Sequence, residues 1–296
     1  MKTLKNYLLL SICSLTFIAC SKDGDNPVSN NITLHFNNTF KNETIVLGNA
    51  TAATATKNTS AEGQTHHFSE LKYVISNIRL VKADGGEIPY HINDLDKGAT
   101  VVNQAKPQSL DYVLSDIPGG EYKQIKFGLG VKRELNRLDE AKFPNFYAEA
   151  GENDTKMHWE WGAGYRFTKV EGFYDTNNKE LSIHTGSTVE GTNGNESTYT
   201  PGIDAYRDIT LSLPKNAIVG SNSPKINIKA DFDHLLSGET NTITLVTNPT
   251  PNPHDDNNNA VPNKTSAIHM VKFVDNLGGN GSSDITGMFS IESVEN

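Results

Sequence analysis

The chain is 296 residues long, carries 26 Lys and Arg against 35 Asp and Glu for a formal net charge of −9, and is 36% hydrophobic. An acidic chain does not suit a phosphate-rich partner, which argues against nucleic-acid binding. Its two cysteines, Cys13 and Cys20, confine thiol chemistry to the N-terminus.

Lys2 and Lys5 form a basic start. Leu8, Leu9, Leu10, Ile12, Leu15, Phe17 and Ile18 follow as an apolar core too short to span a bilayer. It ends at Ile18-Ala19-Cys20, a small residue directly before a cysteine, which resembles the lipobox of bacterial lipoproteins. The expectation is a signal peptide over 1–19, a lipidated Cys20, an acidic tether over 20–30 and one β domain over 31–296. Ser21-Lys22-Asp23-Gly24-Asp25 resembles the surface-export tether of Bacteroidetes-type lipoproteins. The implied location is the cell envelope: an outer-membrane lipoprotein, surface-exposed or periplasm-facing, held to the membrane by its lipid anchor. Cleavage removes Cys13 and acylation consumes Cys20, so the mature domain has no thiol nucleophile, thiolate metal site or disulfide. Its stability must come from a packed core.

Beyond the tether the pattern is period-2. Ile32, Leu34 and Phe36 alternate, and Thr44 to Leu47 is a short β-branched run. A loop follows from Gly48 to Thr65. Phe68 to Val81 predicts one long or broken strand, with Leu71, Tyr73 and Ile75 on one face and a bend at Asn77 before Ile78 and Leu80. Asp84-Gly85-Gly86 is a hairpin turn leading to a return over Glu87 to Ile92. Ile117-Pro118-Gly119-Gly120 turns into the alternation Ile125, Phe127, Leu129, Val131. Gly128 and Gly130 on its other face allow another backbone or a ligand to come close.

Glu134 to Phe143 reads as one or two helical turns. Leu181 and Ile183 mark a strand whose other face carries Ser182 and His184. Ile209, Leu211 and Leu213 alternate, as do Ile226, Ile228, Ala230 and Phe232. Asp233 to Leu236 suits a helical turn, Asn248 to Lys264 a long loop, and Thr265 to Asn276 a short helix. Met288 to Ile291 closes as a strand. Short strands at this spacing predict an all-β fold, a β-sandwich with long loops and one or two short helices.

With no mature thiol, a transition-metal site has to use imidazole, carboxylate or thioether. The segment Met157-His158-Trp159-Glu160-Trp161 holds both tryptophans beside a methionine and a histidine. His269 precedes Met270, and a Met–His neighbourhood suits Cu(I). His184 lies on a polar strand face just before a glycine turn, and His67 belongs to a His66-His67 pair. His35, His91 and His234 have no neighbouring ligand type. No nucleophile elbow, phosphate loop, His-Glu-x-x-His or dinucleotide fingerprint is present, so no enzymatic activity is expected.

Three blocks then resemble one family. Phe68 to Leu80, which contains Leu71-Lys72-Tyr73-Val74-Ile75-Ser76-Asn77-Ile78, is similar to the early "LKYYISNI-L" block of the MbnP family. Met157 to Gly172 is similar to its "M-x-W-x-W-x-x-G-Y-x-F-x-x-x-E-G" signature, and Leu181 to Ser187 to its "F-x-x-H-x-G-S" motif. The resemblance implies a relation to the methanotroph copper proteins MbnP, CorA and MopE. In these, two histidines and a kynurenine made from tryptophan hold copper, and a diheme MauG-like or peroxidase-like enzyme is linked with the oxidation. Carried over, His184 is the first ligand and Trp159 or Trp161 the oxidised residue. His67, His158 and His269 are the candidates for the second imidazole. Copper storage, or handover to an outer-membrane transporter, is the implied role. Where some relatives pair Trp with a His two positions later, this chain has Trp159-Glu160-Trp161. The alternative from the residues alone is a non-metal surface module that uses Trp159 and Trp161 to stack on glycan or protein.

Overall fold

A computed structural model describes residues 30–137, 139–152, 157–159, 163–192, 195–246, 264–281 and 287–296. The signal, Cys20 and the tether up to residue 29 lie outside the described residues, as do Trp161 and residues 247–263, where most of the loop expected over Asn248 to Lys264 falls. The strands are β1 (Ile32–Phe40), β2 (Glu43–Thr44), β3 (Asn58–Thr59), β4 (Thr65–Lys82), β5 (Glu87–Tyr90), β6 (Thr100–Asn103), β7 (Asp111–Leu114) and β8 (Gly120–Leu129). They continue as β9 (Thr168–Tyr174), β10 (Lys179–Thr185), β11 (Val189–Glu190), β12 (Thr200–Pro201), β13 (Arg207–Val219), β14 (Lys225–Asp231) and β15 (Phe289–Glu295). Helices are few: single turns α1 (Leu95–Gly98), α2 (Arg133–Asn136), α3 (Pro144–Tyr147) and α4 (His234–Ser237), and a fifteen-residue α5 (Lys264–Gly278).

Two sheets form the sandwich. In the smaller, β1 pairs in parallel with β14, which carries β15 antiparallel; β2 and β7 also pair with β1. The larger is organised around β4. Over its first half β4 pairs with β9, which carries β10; over its second half it pairs with β8, which carries β13. The short strands β3, β5 and β6 also pair with β4.

The inner faces fill with the alternating apolar residues. Phe36, Phe68, Tyr73, Phe127 and Phe232 are fully buried there, with Ile226 and Ile228 of β14 opposite Leu71, Ile75 and Ile125. Each such side chain contributes about 1.5–3 kcal/mol by leaving water. The buried Tyr73 hydroxyl donates to Asn38 Oδ1 at 2.8 Å, so it adds no unpaired group to the core.

The bend expected at Asn77 is a β-bulge between Ser76 and Arg79. Leu71, Tyr73 and Ile75 are odd-numbered, Ile78 and Leu80 even, yet all five lie in the same core. One extra residue restores that alignment, and Asn77 takes it in the left-handed conformation at φ 50°. Two expectations were too long. Of the run from Thr44 to Leu47 only Thr44 belongs to a strand, and β8 stops at Leu129. There Gly130 turns at φ 98°, which sends Val131 to the other face of the sheet. The helical segment after Glu134 is longer than expected: short turns run from Arg133 to Asn136 and again from Glu140 to Glu152.

The excursion between β8 and β9 makes a third layer. Phe143, Phe146, Ala150, Met157, Tyr165 and Phe167 pack with Val74, Val101 and Val131 on the outer face of the large sheet. Met157 is a fully buried member of this apolar layer.

Candidate functional site

The Trp block is a short antiparallel ribbon. His158 bridges Tyr165, Trp159 N–H donates to the Gly164 carbonyl at 2.9 Å, and Arg166 N–H donates to the Met157 carbonyl at 2.8 Å. Buried Asn136 clamps its turn, donating from Nδ2 to the Ala163 carbonyl at 3.1 Å and accepting from Tyr165 N–H at 2.8 Å. Gly164 sits against the Asn136 backbone at φ 83°, a place without room for a β-carbon.

Neighbouring residues on this ribbon look in different directions. The His158 ring stands edge-on to Tyr147 and Tyr165, with centroids 5.2 and 4.9 Å away. The Trp159 ring instead meets His184 of β10, centroids 6.0 Å apart and planes at 61°. The Arg166 guanidinium lies 4.4 Å from the Trp159 ring centroid. A stacked guanidinium is a cation–π contact and covers one face of the indole.

Each residue of the His184-Thr185-Gly186-Ser187 run has a geometric reason. Thr185 Oγ1 shares a buried hydrogen bond with Thr168 Oγ1 at 2.7 Å. At Gly186 a β-carbon would stand 2.9 Å from Trp159 Nε1 and 2.9 Å from the Tyr165 carbonyl oxygen. Ser187 Oγ donates to Asp204 at 3.0 Å and accepts from Ala205 N–H at 3.2 Å, fixing the strand end. His184 is therefore aimed at the indole edge by a strand whose next residues make the seat for that indole.

Glu171 completes this arrangement. It lies on β9, on the same outer face as His184, and its Oε1 is 2.5 Å from His184 Nε2. Beside it, Glu70 bridges Lys72 at 2.8 Å and Lys169 at 2.7 Å. Burial by itself would raise the Glu70 carboxyl, but hydrogen bonds from Lys169 and then Lys72 outweigh it and hold the group below the usual carboxylate range. Gly172, next to Glu171, faces the His67 carbonyl too closely for any side chain and so admits the bulge of β4 between Phe68 and Glu70.

Of the other expected ligands, His158 turns to Tyr147 and Tyr165, and His67 lies away from His184. His67 pairs with Phe173 on β9, four residues from Lys169, the partner of His184. That separation is roughly 13 Å along the strand. His67 is buried, its Nε2 donating to the Asn49 carbonyl at 3.1 Å, beside a cavity of about 560 Å³ that Phe173 and Asp175 also line. His269 lies on α5, but its side chain is outside the described residues, as is Trp161. Among the described residues no group of three or more His, Cys, Asp or Glu is arranged to hold a metal.

The MbnP family model matches residues 29–260. The chain belongs to the MbnP family. A solved structure, MbnP from Methylosinus trichosporium, matches with a TM-score of 0.51 at 13% identity, covering 89% of this chain and 98% of that one. At that identity the likeness shows the fold. No curated protein matches the sequence. Within the blocks that carry the resemblance, the tertiary contacts join Trp159, Glu171, His184 and Gly186, four residues from three separate segments.

Sequence reading missed Arg166 as part of the site, and missed that Glu171 partners His184. Glu171 was legible from parity: Val170 is core, so Glu171 faces outward like Ser182 and His184. Nothing local signals that Arg166 covers Trp159, because the contact depends on how the ribbon closes.

Proposed function

We propose that this MbnP-family protein binds copper in the cell envelope, with His184 as an imidazole ligand and Trp159 as the residue oxidised to supply a second donor. The observation that carries this reading is the Trp159–His184 contact at 6.0 Å, seated by Gly186. The residues fit a soft, low-coordinate ion in kind: one imidazole, one carboxylate in hydrogen bond with it, and an aromatic whose oxidation changes its donor character. Indole nitrogen is a donor only. Cleaving the indole C2–C3 bond with addition of two oxygen atoms, then hydrolysing off the formyl group as formate, leaves an aryl amine with a lone pair. The oxidising equivalents come from outside the chain, and a diheme peroxidase-like enzyme is the class of partner that supplies them. Copper held at the site would remain ligated by His184 while Glu171 supports the imidazole from behind.

On this reading the protein is a binding protein and not an enzyme. It is anchored to the outer membrane through Cys20, acts in storage or in handover to an outer-membrane transporter, and has no nucleic-acid partner. No described helix is long and apolar enough to cross a membrane. The stacking-platform alternative loses support because Arg166 already covers one face of Trp159.

The test is copper loading followed by metal quantification on the wild type and on His184→Ala. Stoichiometric copper in the first and its loss in the second is the expected result. Mass analysis of the peptide spanning Trp159 and Trp161, after co-expression with a diheme partner, should show one carbon exchanged for one oxygen at Trp159. No retained copper with or without that partner overturns the reading.

A further inference from the structure

We infer that Glu171 is a positioning residue that fixes the tautomer of His184, so that the imidazole carries its proton on Nε2 and presents Nδ1 as its bare donor atom. The inference rests on the copper reading only for the identity of the ligand.

The register produces the contact. His184 pairs with Lys169 and Ser182 pairs with Glu171, so Glu171 reaches His184 across a diagonal on one face of the sheet. The result is the 2.5 Å approach of Glu171 Oε1 to His184 Nε2. An ionised carboxylate only accepts, so the hydrogen belongs to Nε2. A neutral imidazole has a single N–H, and Nδ1 then keeps its lone pair.

Competition for Glu171 is removed by its neighbours. Lys169 is two residues away on the same face and is the nearest cation by sequence. Its ammonium is committed to Glu70 Oε1, the oxygen that Lys72 also holds. With Lys169 committed to Glu70, Glu171 serves the imidazole. A carboxylate behind a ligating imidazole raises its basicity and fixes its ring, and losing such a partner weakens metal binding by about 10–100-fold.

The experiment is a two-bond nitrogen-15 correlation spectrum of the full chain with labelled histidine, free of metal and at mildly alkaline pH, where imidazole is neutral. Wild type should show His184 protonated at Nε2. Glu171→Gln should keep that pattern, since its amide oxygen still accepts. Glu171→Ala should shift His184 toward a mixture of tautomers. In a parallel competition assay, Cu(I) affinity should fall about 10–100-fold in Glu171→Ala and recover in Glu171→Gln. A wild-type His184 protonated at Nδ1 overturns the inference, and so does a Glu171→Ala spectrum identical to wild type. If the tautomer follows Glu171 but wild type takes up no copper, the tautomer inference is supported and the copper reading alone falls. Where Glu171→Ala fails to fold, Glu171→Thr removes the carboxylate with a residue suited to a strand, and a His184 tautomer identical to wild type in that variant overturns the inference in the same way.

Discussion

Gly186 and Trp159 are complementary: the indole nitrogen occupies the space that any side chain at position 186 would claim. A β-carbon there would be 2.9 Å from Nε1 and equally close to the Tyr165 carbonyl oxygen. The backbone carbonyl has little freedom to move, because the residues around it are tied into the ribbon at Met157 and Gly164. Gly186→Ala should therefore push the indole off His184 and destabilise the fold by about 1–3 kcal/mol, as overpacking does. Denaturant midpoints and Trp fluorescence read both effects. An unchanged midpoint with unchanged fluorescence would show that the seat is looser than this.

The bulge at Asn77 makes a separate prediction. Asn77 is left-handed, and its Nδ2 donates to the Tyr206 hydroxyl at 2.7 Å. The Tyr206 ring lies over Gly128, whose bare face admits it. Asn77→Ala loses the hydrogen bond and leaves a residue poorly suited to φ > 0, at a cost of about 1–3 kcal/mol. Asn77→Gly should recover part of that cost, since glycine adopts the conformation freely. Equal midpoints for the two variants would separate the bulge from any conformational demand at position 77.

His66 should set part of the acid stability. Its side chain is in the core between Phe40 and Phe68, and burial lowers its pKa to about 4. The unfolded chain takes up the proton near the ordinary value of 6.5, the folded one only near 4. Between these values protons favour unfolding, so stability falls as pH drops through that window, by about 3 kcal/mol in all. His66→Phe removes the titrating group, and its stability should be flatter from neutral pH down to pH 4. Parallel slopes for variant and wild type in urea titrations would refute this.

Glu149 pulls the other way. Glu149 is exposed as a residue, but its carboxyl tucks against Thr100 and Val101, and the loss of water there raises it; hydrogen bonds from Val101 N–H at 2.8 Å and Thr100 offset this only in part. Here the folded state holds the proton more tightly than the unfolded one. The associated stability is complete below the unfolded value and is lost as pH rises through the folded value. Glu149→Gln keeps an acceptor for Val101 and removes that loss. At neutral pH the variant should be at least as stable as wild type, with a smaller decline as pH rises above the ordinary glutamate range. A Gln variant markedly less stable at neutral pH would mean that the charge itself holds the outer layer.

The residues of the sandwich declare themselves locally. Leu181 and Ile183 are core and His184 is not because side chains alternate on a strand, and that follows from covalent geometry alone. The bend expected at Asn77 is a bulge in the structure, and there the apolar parity changes. Alternation could not stop β8 at Leu129, because the turn of Gly130 is needed to send Val131 into a layer that the strand pattern does not contain.

By itself the sequence determined the β class, the strand faces, the confinement of both cysteines to the N-terminal stretch and the three motif blocks that resemble the family. The partners within those blocks were decided by tertiary structure. Trp159, Glu171 and His184 belong to three segments, and which of them meet depends on strand register and on the closure of the ribbon over the sheet. The same register moves His67 away from His184, although both lie on strands of one sheet. Alternation is a property of each strand, whereas a site of this kind is a property of how strands are aligned, and a shift of one residue would turn His184 into the core and Glu171 away from it.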